Sequence, residues 1–268
     1  MRMRAAIAIF LLAAACSHSH AAEPLARAHA HNDYLHPRPL LDALEQGFCS
    51  VEADIHLVDG KLIVAHDLPK GESSLNKQPP RTLRNLYLEP LAKRARDNGG
   101  RVFSGNTHFL LLIDFKTEAE TTYVTLRKEL VPYQGILTKF SERAIETNAV
   151  TIVLSGNRPI ATVAAERERY VAIDGRLPDL ETNAPPALVP LVSDNWTKFF
   201  QWRGTGPLAM HERVKVREFV DKAHQQGRRI RFWAVPDTPE AWEEMRSAGV
   251  DLINTDNLSG LAEFLRTR

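Results

Sequence analysis

The sequence predicts a (β/α)8 barrel, and three observations carry that prediction. Eight strand-like segments recur along the chain with helical or loop segments between them. Polar residues gather at the C-terminal ends of those segments, where a parallel barrel presents its chemistry. No glycine-rich loop follows the first strand, which weakens the runner-up, an open doubly wound sheet.

The elements follow in order. LARAHA, with His31 just beyond it, reads as the first strand. In PRPLLDALEQG, Leu40, Leu41 and Leu44 share a helical face and Gly47 supplies the stop. FCSVEADIHLV is the second strand, and the Asp59-Gly60 turn leads it into the hairpin KLIVAHD. A helix over Thr82–Asp97 closes at Gly99-Gly100. HFLLLIDF, VTIVLSG, RYVAIDG, LVPLVSDN, RRIRFWAV and GVDLINTD are strands three to eight. Helices are expected over Pro207–Gln226, Thr238–Ala248 and Leu258–Leu265. GRLPDLETNAPPA, between strands five and six, has no helical period, so the barrel is expected to be irregular there. NWTKFFQWRGTG, after strand six, would form an apolar lip if exposed; it is expected instead to pack over the barrel.

Composition bounds the class. The chain has 268 residues, 44% hydrophobic and 25% charged, with 34 Lys plus Arg against 33 Asp plus Glu. That balance offers no electrostatic case for nucleic acid or an anionic membrane surface. Residues 1–22 read as a signal peptide: Arg2 and Arg4, an apolar run over Ala5–Ala15, then small residues with cleavage near Ala21 or Ala22. The run is too short to span a bilayer, so a secreted or periplasmic product without a stable transmembrane segment is expected. A lesser alternative is lipid anchoring at Cys16, because LAAAC loosely follows a lipobox with its Leu one position too far back. The His18–His20 run is read as sequence beside the cleavage site. Leader removal leaves Cys49 without a disulfide partner. Residues 23–268 form one expected domain, and its oligomeric state is not legible.

Strand-end polar residues then define a site. Side chains two apart on a strand share a face, so Glu52 with Asp54, and Asp114 with Lys116, can point into one mouth. Asp174, Asp194, Arg231, Trp233, Asn254 and Asp256 also lie at strand ends. Three carboxylates at one mouth repel unless a cation sits among them. An all-oxygen set without a thiolate suits Mg²⁺ or Ca²⁺ better than zinc.

This pattern resembles the superfamily of phosphatidylinositol-specific phospholipase C and glycerophosphodiester phosphodiesterase. It is carried by His31, Glu52-x-Asp54, His66-Asp67, LLLIDFKT, RFWAVPD and GVDLINTD. HNDY and SVEADI..VDG..VAHD look most like the branch that includes the altered-inheritance-of-mitochondria proteins. The resemblance implies a metal-dependent phosphoric diester hydrolase acting on a small phosphodiester or lipid headgroup. It also implies His31 and His66 as the acid/base pair, chemistry that two near-neutral imidazoles can perform. Lys116 would stabilise charge on the phosphoryl oxygens, and Trp233 would wall the pocket. Arg231 would reach phosphate or pair with a mouth carboxylate.

Departures bear on the substrate. His31-Asn32 stands where a glycerophosphodiesterase usually has His-Arg, and Asp114-x-Lys116 where it has Glu-x-Lys. His-Asn resembles the phospholipase C pattern, in which Asn32 would help hold the metal. DFKT resembles the spider sphingomyelinase D branch. His29 and His36 are assigned to supporting or surface places, and His56 to a strand end facing away. Two rivals stand. A non-catalytic barrel could bind phosphoesters or sugars. An amidohydrolase could use His29-x-His31 with Asp256, but VAIDG and LVSDN lack the histidines that class needs.

Overall fold

The computed structural model describes residues 22–68, 80–105, 107–141 and 143–268. The expected leader, apart from Ala22, and Cys16 with it, lie outside the described residues. Parallel strands β1 (Leu25–Ala30), β2 (Phe48–Val58), β3 (Phe109–Phe115), β4 (Val150–Gly156), β5 (Val171–Gly175), β6 (Leu191–Asn195), β7 (Arg229–Trp233) and β8 (Leu252–Thr255) follow one another around a ring. β1 pairs with both β8 and β2, which closes the barrel as the alternation predicted. The antiparallel strand Lys61–Val64 extends β2 through the predicted hairpin, with Asp59 and Gly60 both at positive φ.

The outer layer is α1 (Leu41–Glu45), α2 (Glu89–Asp97), α3 (Ala119–Leu130), α4 (Ile160–Ala165), α5 (Trp196–Phe199), α6 (Met210–Gln225), α7 (Pro239–Ala248) and α8 (Leu258–Arg266). Local sequence explains the ends of α7: Thr238 accepts from the Ala241 amide, Pro239 opens the first turn, and Gly249 leaves it at φ 89°. α3 escaped the sequence reading because its buried face mixes Thr122 and Tyr123 with Leu126 and Leu130, which blurs the apolar period. Between β5 and β6 runs only a 3-10 turn, Leu177–Glu181, so the irregularity falls where expected. The aromatic segment packs inward: Trp196 stacks on Phe200 at 3.9 Å, and both meet Phe232 edge-on.

The barrel interior is layered. Leu110, Leu112, Val153, Ala172, Leu191 and Leu252 form an apolar floor, joined by Phe140. Phe140 comes from a small antiparallel sheet (Lys139–Ser141, Ile145–Glu146, Glu168–Arg169) that the sequence did not disclose. The Arg169 guanidinium covers its ring at 4.5 Å. One register step above the floor, Asp54, Asp114 and Ser155 lie side by side on β2, β3 and β4. That step is the origin of the site.

Candidate active site

Glu52, Asp54 and Asp114 converge at the mouth, each offering an oxygen within 4.8 Å of the others. Period two places the first two on one face of β2, and parallel register brings Asp114 beside Asp54. Lys116 reaches between them, its Nζ 2.9 Å from Asp54 Oδ2 and 3.0 Å from Asp114 Oδ1. Burial, then the charge of Glu52, push the Asp54 carboxyl up to about 6 against the pull of Tyr34 and Lys116. Burial also raises Asp114, with Lys116 opposing it. Gly156 makes room for this carboxylate: at φ +67°, a Cβ there would lie 2.5 Å from Asp114 Oδ1.

Glu52 behaves differently. Burial would raise it, but chiefly the Arg231 guanidinium, with His29 alongside, holds it well below the usual carboxylate range. Arg231 Nη1 donates to Glu52 Oε2 at 2.8 Å, and Nε donates to Ser193 Oγ at 3.1 Å. Of the two roles open to Arg231 in the sequence, the structure places it on the mouth carboxylate. His29 is fully buried between Ser50 Oγ, at 2.7 Å, and Arg231. Burial and the neighbouring Arg231 lower His29 to about 3, so it stays a neutral ring supporting Glu52.

The two predicted acid/base histidines each carry a carboxylate on Nδ1. His31 Nδ1 lies 3.0 Å from Asp256 Oδ1, and His66 Nδ1 lies 3.1 Å from Asp67 Oδ2. Each contact orients a ring and leaves Nε2 for proton transfer. Burial opposes charge on His31, but the Asp256 bond and the Glu52 field outweigh it and raise its pKa. His66 follows the hairpin strand and is exposed, and the amide of Ala65 donates to the Asp54 carbonyl at 3.2 Å. His56 corrects an expectation: rather than facing away, it is buried, with Nε2 3.1 Å from the His66 carbonyl. A groove of ≈ 470 Å³ beside His66 is lined by Tyr34, Leu35, Val64 and Arg81 among others.

Asn32 sits in the left-handed region at φ 48°, a conformation asparagine tolerates, and so turns the chain just past His31. The Tyr34 hydroxyl lies 2.7 Å from both Asn32 Oδ1 and Asp54 Oδ2, tying Asn32 to the carboxylate group. Sequence reasoning missed Tyr34 as a partner, although it closes the HNDY string. Trp233 is half-buried at the end of β7, in register with Asn195. Asp174 is held by Ser155 and Arg176, and Asp194 accepts from the Leu177 and Asn195 amides, so neither joins the carboxylate group.

The donors fit a hard cation. Asp54 Oδ1 is buried and has no hydrogen-bond partner, an expensive state for a carboxylate oxygen unless something positive meets it. The nearby donors are all oxygens, and Cys49, the free thiol among the described residues, is buried and pairs with the Gly47 carbonyl. Glu52, Asp54 and Asp114 would hold the ion, with Asn32 beside them.

The chain is similar to known proteins. The family described as AIM6-like phosphodiesterase domain matches residues 19–174, and the Glycerophosphoryl diester phosphodiesterase family matches residues 229–259. The Altered inheritance of mitochondria protein 6 homolog of Arthroderma benhamiae is 28% identical, over 86% of this chain and 81% of its own. Altered inheritance of mitochondria protein 6 of Eremothecium gossypii is 29% identical, over 90% of this chain and 69% of its own. A crystal structure of a glycerophosphodiester phosphodiesterase from Agrobacterium tumefaciens aligns with TM-score 0.47 and 13% identity, covering 91% of this chain and 100% of that one.

Proposed function

The chain belongs to the AIM6-like phosphodiesterase domain family, and on that premise we propose that it hydrolyses phosphodiesters of the glycerophosphodiester or phospholipid-headgroup class. The observation that carries the proposal is the pairing of a three-carboxylate mouth with two histidines, each oriented by its own aspartate. A bound Mg²⁺ or Ca²⁺ would offset negative charge on the non-bridging phosphoryl oxygens.

The protein's own groups do the rest. Asp256 holds the His31 ring with Nε2 free, so His31 accepts a proton from the attacking hydroxyl or water. The imidazolium formed is stabilised by the same carboxylate. His66, oriented by Asp67, delivers a proton to the departing oxygen in the adjoining groove. Lys116 lies at the carboxylate pair, within reach of a phosphoryl oxygen placed there, and Trp233 borders the mouth. The leader-like residues 1–22 support export, which would set the reaction outside the cytoplasm. Among the described residues no helix is long and apolar enough to cross a membrane.

The purified chain is to be assayed against a diester panel with Mg²⁺ or Ca²⁺. Turnover that stops on exhaustive chelation and returns with the ion is the expected result. Turnover untouched by chelation removes the cation from the proposal. Binding of diesters without turnover under any cation supports the non-catalytic barrel instead.

A further inference from the structure

The acid/base pair and the carboxylates belong to β1, β2, β3 and the segments after them, with Asp256 just beyond β8. The β4–β5 side carries a second polar group to which that chemistry gives no task. Ser155, on β4, donates to Asp174 Oδ2 at 2.9 Å. Arg176 lies over the pair: Nη1 donates to Asp174 Oδ2 at 2.9 Å and Nη2 to Ser155 Oγ at 3.2 Å. Arg158 comes in from the β4 loop, and its Nη1 donates to the Asp174 carbonyl. Two guanidinium groups therefore meet at the Asp174 main-chain carbonyl, and Arg176 alone also reaches its carboxylate.

Arg158 is held in place yet not neutralised. Its loop is pinned to the end of β3, because the Asn157 amide donates to the Phe115 carbonyl and Asn157 Nδ2 to the Thr117 carbonyl, both at 3.0 Å. Arg158 makes no ion pair among the described residues, and its buried Nε has no hydrogen-bond partner. Burial and the adjacent Arg176 disfavour its charge, while Asp174, Asp179 and Asp114 favour it. The shared contact with the Asp174 carbonyl sets Arg158 beside Arg176. The contrast is with the other mouth cations: Lys116 is matched by two carboxylates and Arg231 by Glu52. A cation with the diester's single charge, together with Lys116, accounts for the mouth carboxylates, and Asp174 pairs with Arg176; among the described residues no carboxylate pairs with Arg158.

We propose that Arg158 and Arg176 form an anion-binding subsite that takes a second acidic group of the substrate, a carboxylate or a phosphate monoester, on the β4–β5 side of the scissile phosphorus. The forked donors of arginine suit such planar or multi-oxygen anions. This rests on the phosphodiesterase reading and narrows it to substrates more acidic than a simple diester.

The test compares diesters that differ only in that group. Glycerophosphoserine is glycerophosphoethanolamine plus a carboxylate, and a glycerophosphoglycerol with a terminal phosphate is compared with its unphosphorylated form. We expect kcat/KM to favour the acidic member of at least one pair by about tenfold, the size of one partly exposed charge-assisted contact. The pair that responds identifies the anion. In Arg158→Gln and in Arg176→Gln the preference falls toward one, while Arg127→Gln, a surface change on α3, leaves it intact. Because the readout is a ratio within one preparation, partial unfolding of a variant cancels. A wild-type ratio near one in both pairs, or a ratio neither variant moves, overturns the subsite. If no diester turns over, the failure lies with the proposed reaction, and the same ratios are read as dissociation constants by calorimetry, where equal affinities overturn the subsite.

Discussion

The floor and the mouth of the barrel use the same strands and differ by one inward-facing layer. On β3, Leu110 and Leu112 belong to the apolar floor, and Asp114, two residues further, belongs to the carboxylate group. On β4 the change is from Val153 to Ser155, and on β5 from Ala172 to Asp174. The floor removes hydrocarbon from water and stabilises the barrel. The mouth does the opposite. Asp54 and Asp114 are raised, chiefly by burial, which means that folding disfavours their ionised forms. The buried Asp33, in the loop after β1, carries the same signature at about 7. One layer holds the structure together, and the next carries a folding cost of the kind expected where the proposed chemistry needs buried charge.

Separate layers should fail separately, and the largest effect should come from the mouth. His31→Ala or His66→Ala is expected to lower turnover by roughly 10² to 10⁴, the usual contribution of positioned proton transfer. The thermal midpoint should scarcely move, since neither ring is in the core. Loss of folding with loss of activity in both variants would erase the distinction between layers.

The floor should respond in the other currency of measurement. Leu112→Ala is expected to cost about 2–5 kcal/mol of stability in denaturant titration, because it opens a cavity at a fully buried site. Turnover per folded molecule should survive. A variant as stable as wild type would show that the floor can collapse around the void.

Asp114→Asn sharpens the comparison within the mouth. It is expected to weaken Mg²⁺ or Ca²⁺ binding by about tenfold or more, while stability without added ion changes by no more than about 1 kcal/mol. Calorimetry with each ion reads the first quantity. An unchanged affinity would take Asp114 out of the ligand set.

The last expected effect is a pH slope, spread over several pH units. Burial raises Asp33 to about 7, above its ordinary 3.8, so between these values the folded chain keeps a proton that the unfolded chain has lost. That contribution to stability is present below pH ~4 and fades as the pH rises toward ~7, by up to about 1.4 kcal/mol per unit. Asn keeps an oxygen for the Leu40 amide and the Tyr87 hydroxyl, which Asp33 Oδ2 now serves, but does not titrate. The stability of Asp33→Asn relative to wild type should therefore climb from pH 4 to 7. A difference that stays flat across that range would show that Asp33 is not titrating in the fold.

Much of this was determined by sequence alone. Period-two runs and short turn signals give the eight strands, because a strand buried on both faces must be apolar until chemistry interrupts it. The interruptions at Glu52-x-Asp54 and Asp114-x-Lys116 are local, so spacing alone puts each pair on one face. His31 and His66 were legible through their strings. What lies between strands was not. Parallel register alone brings Asp114 beside Asp54, across sixty positions of chain, and barrel closure alone brings Asp256 to His31 and Arg231 to Glu52. The small sheet that delivers Phe140 to the floor, the turn of His56 onto the His66 carbonyl, and the meeting of Arg158 with Arg176 likewise have no period or motif behind them. A sequence pattern records what a residue needs from its immediate neighbours along the chain. Which distant charge neutralises a buried one is set by register and closure, and these exist only once the whole barrel has formed.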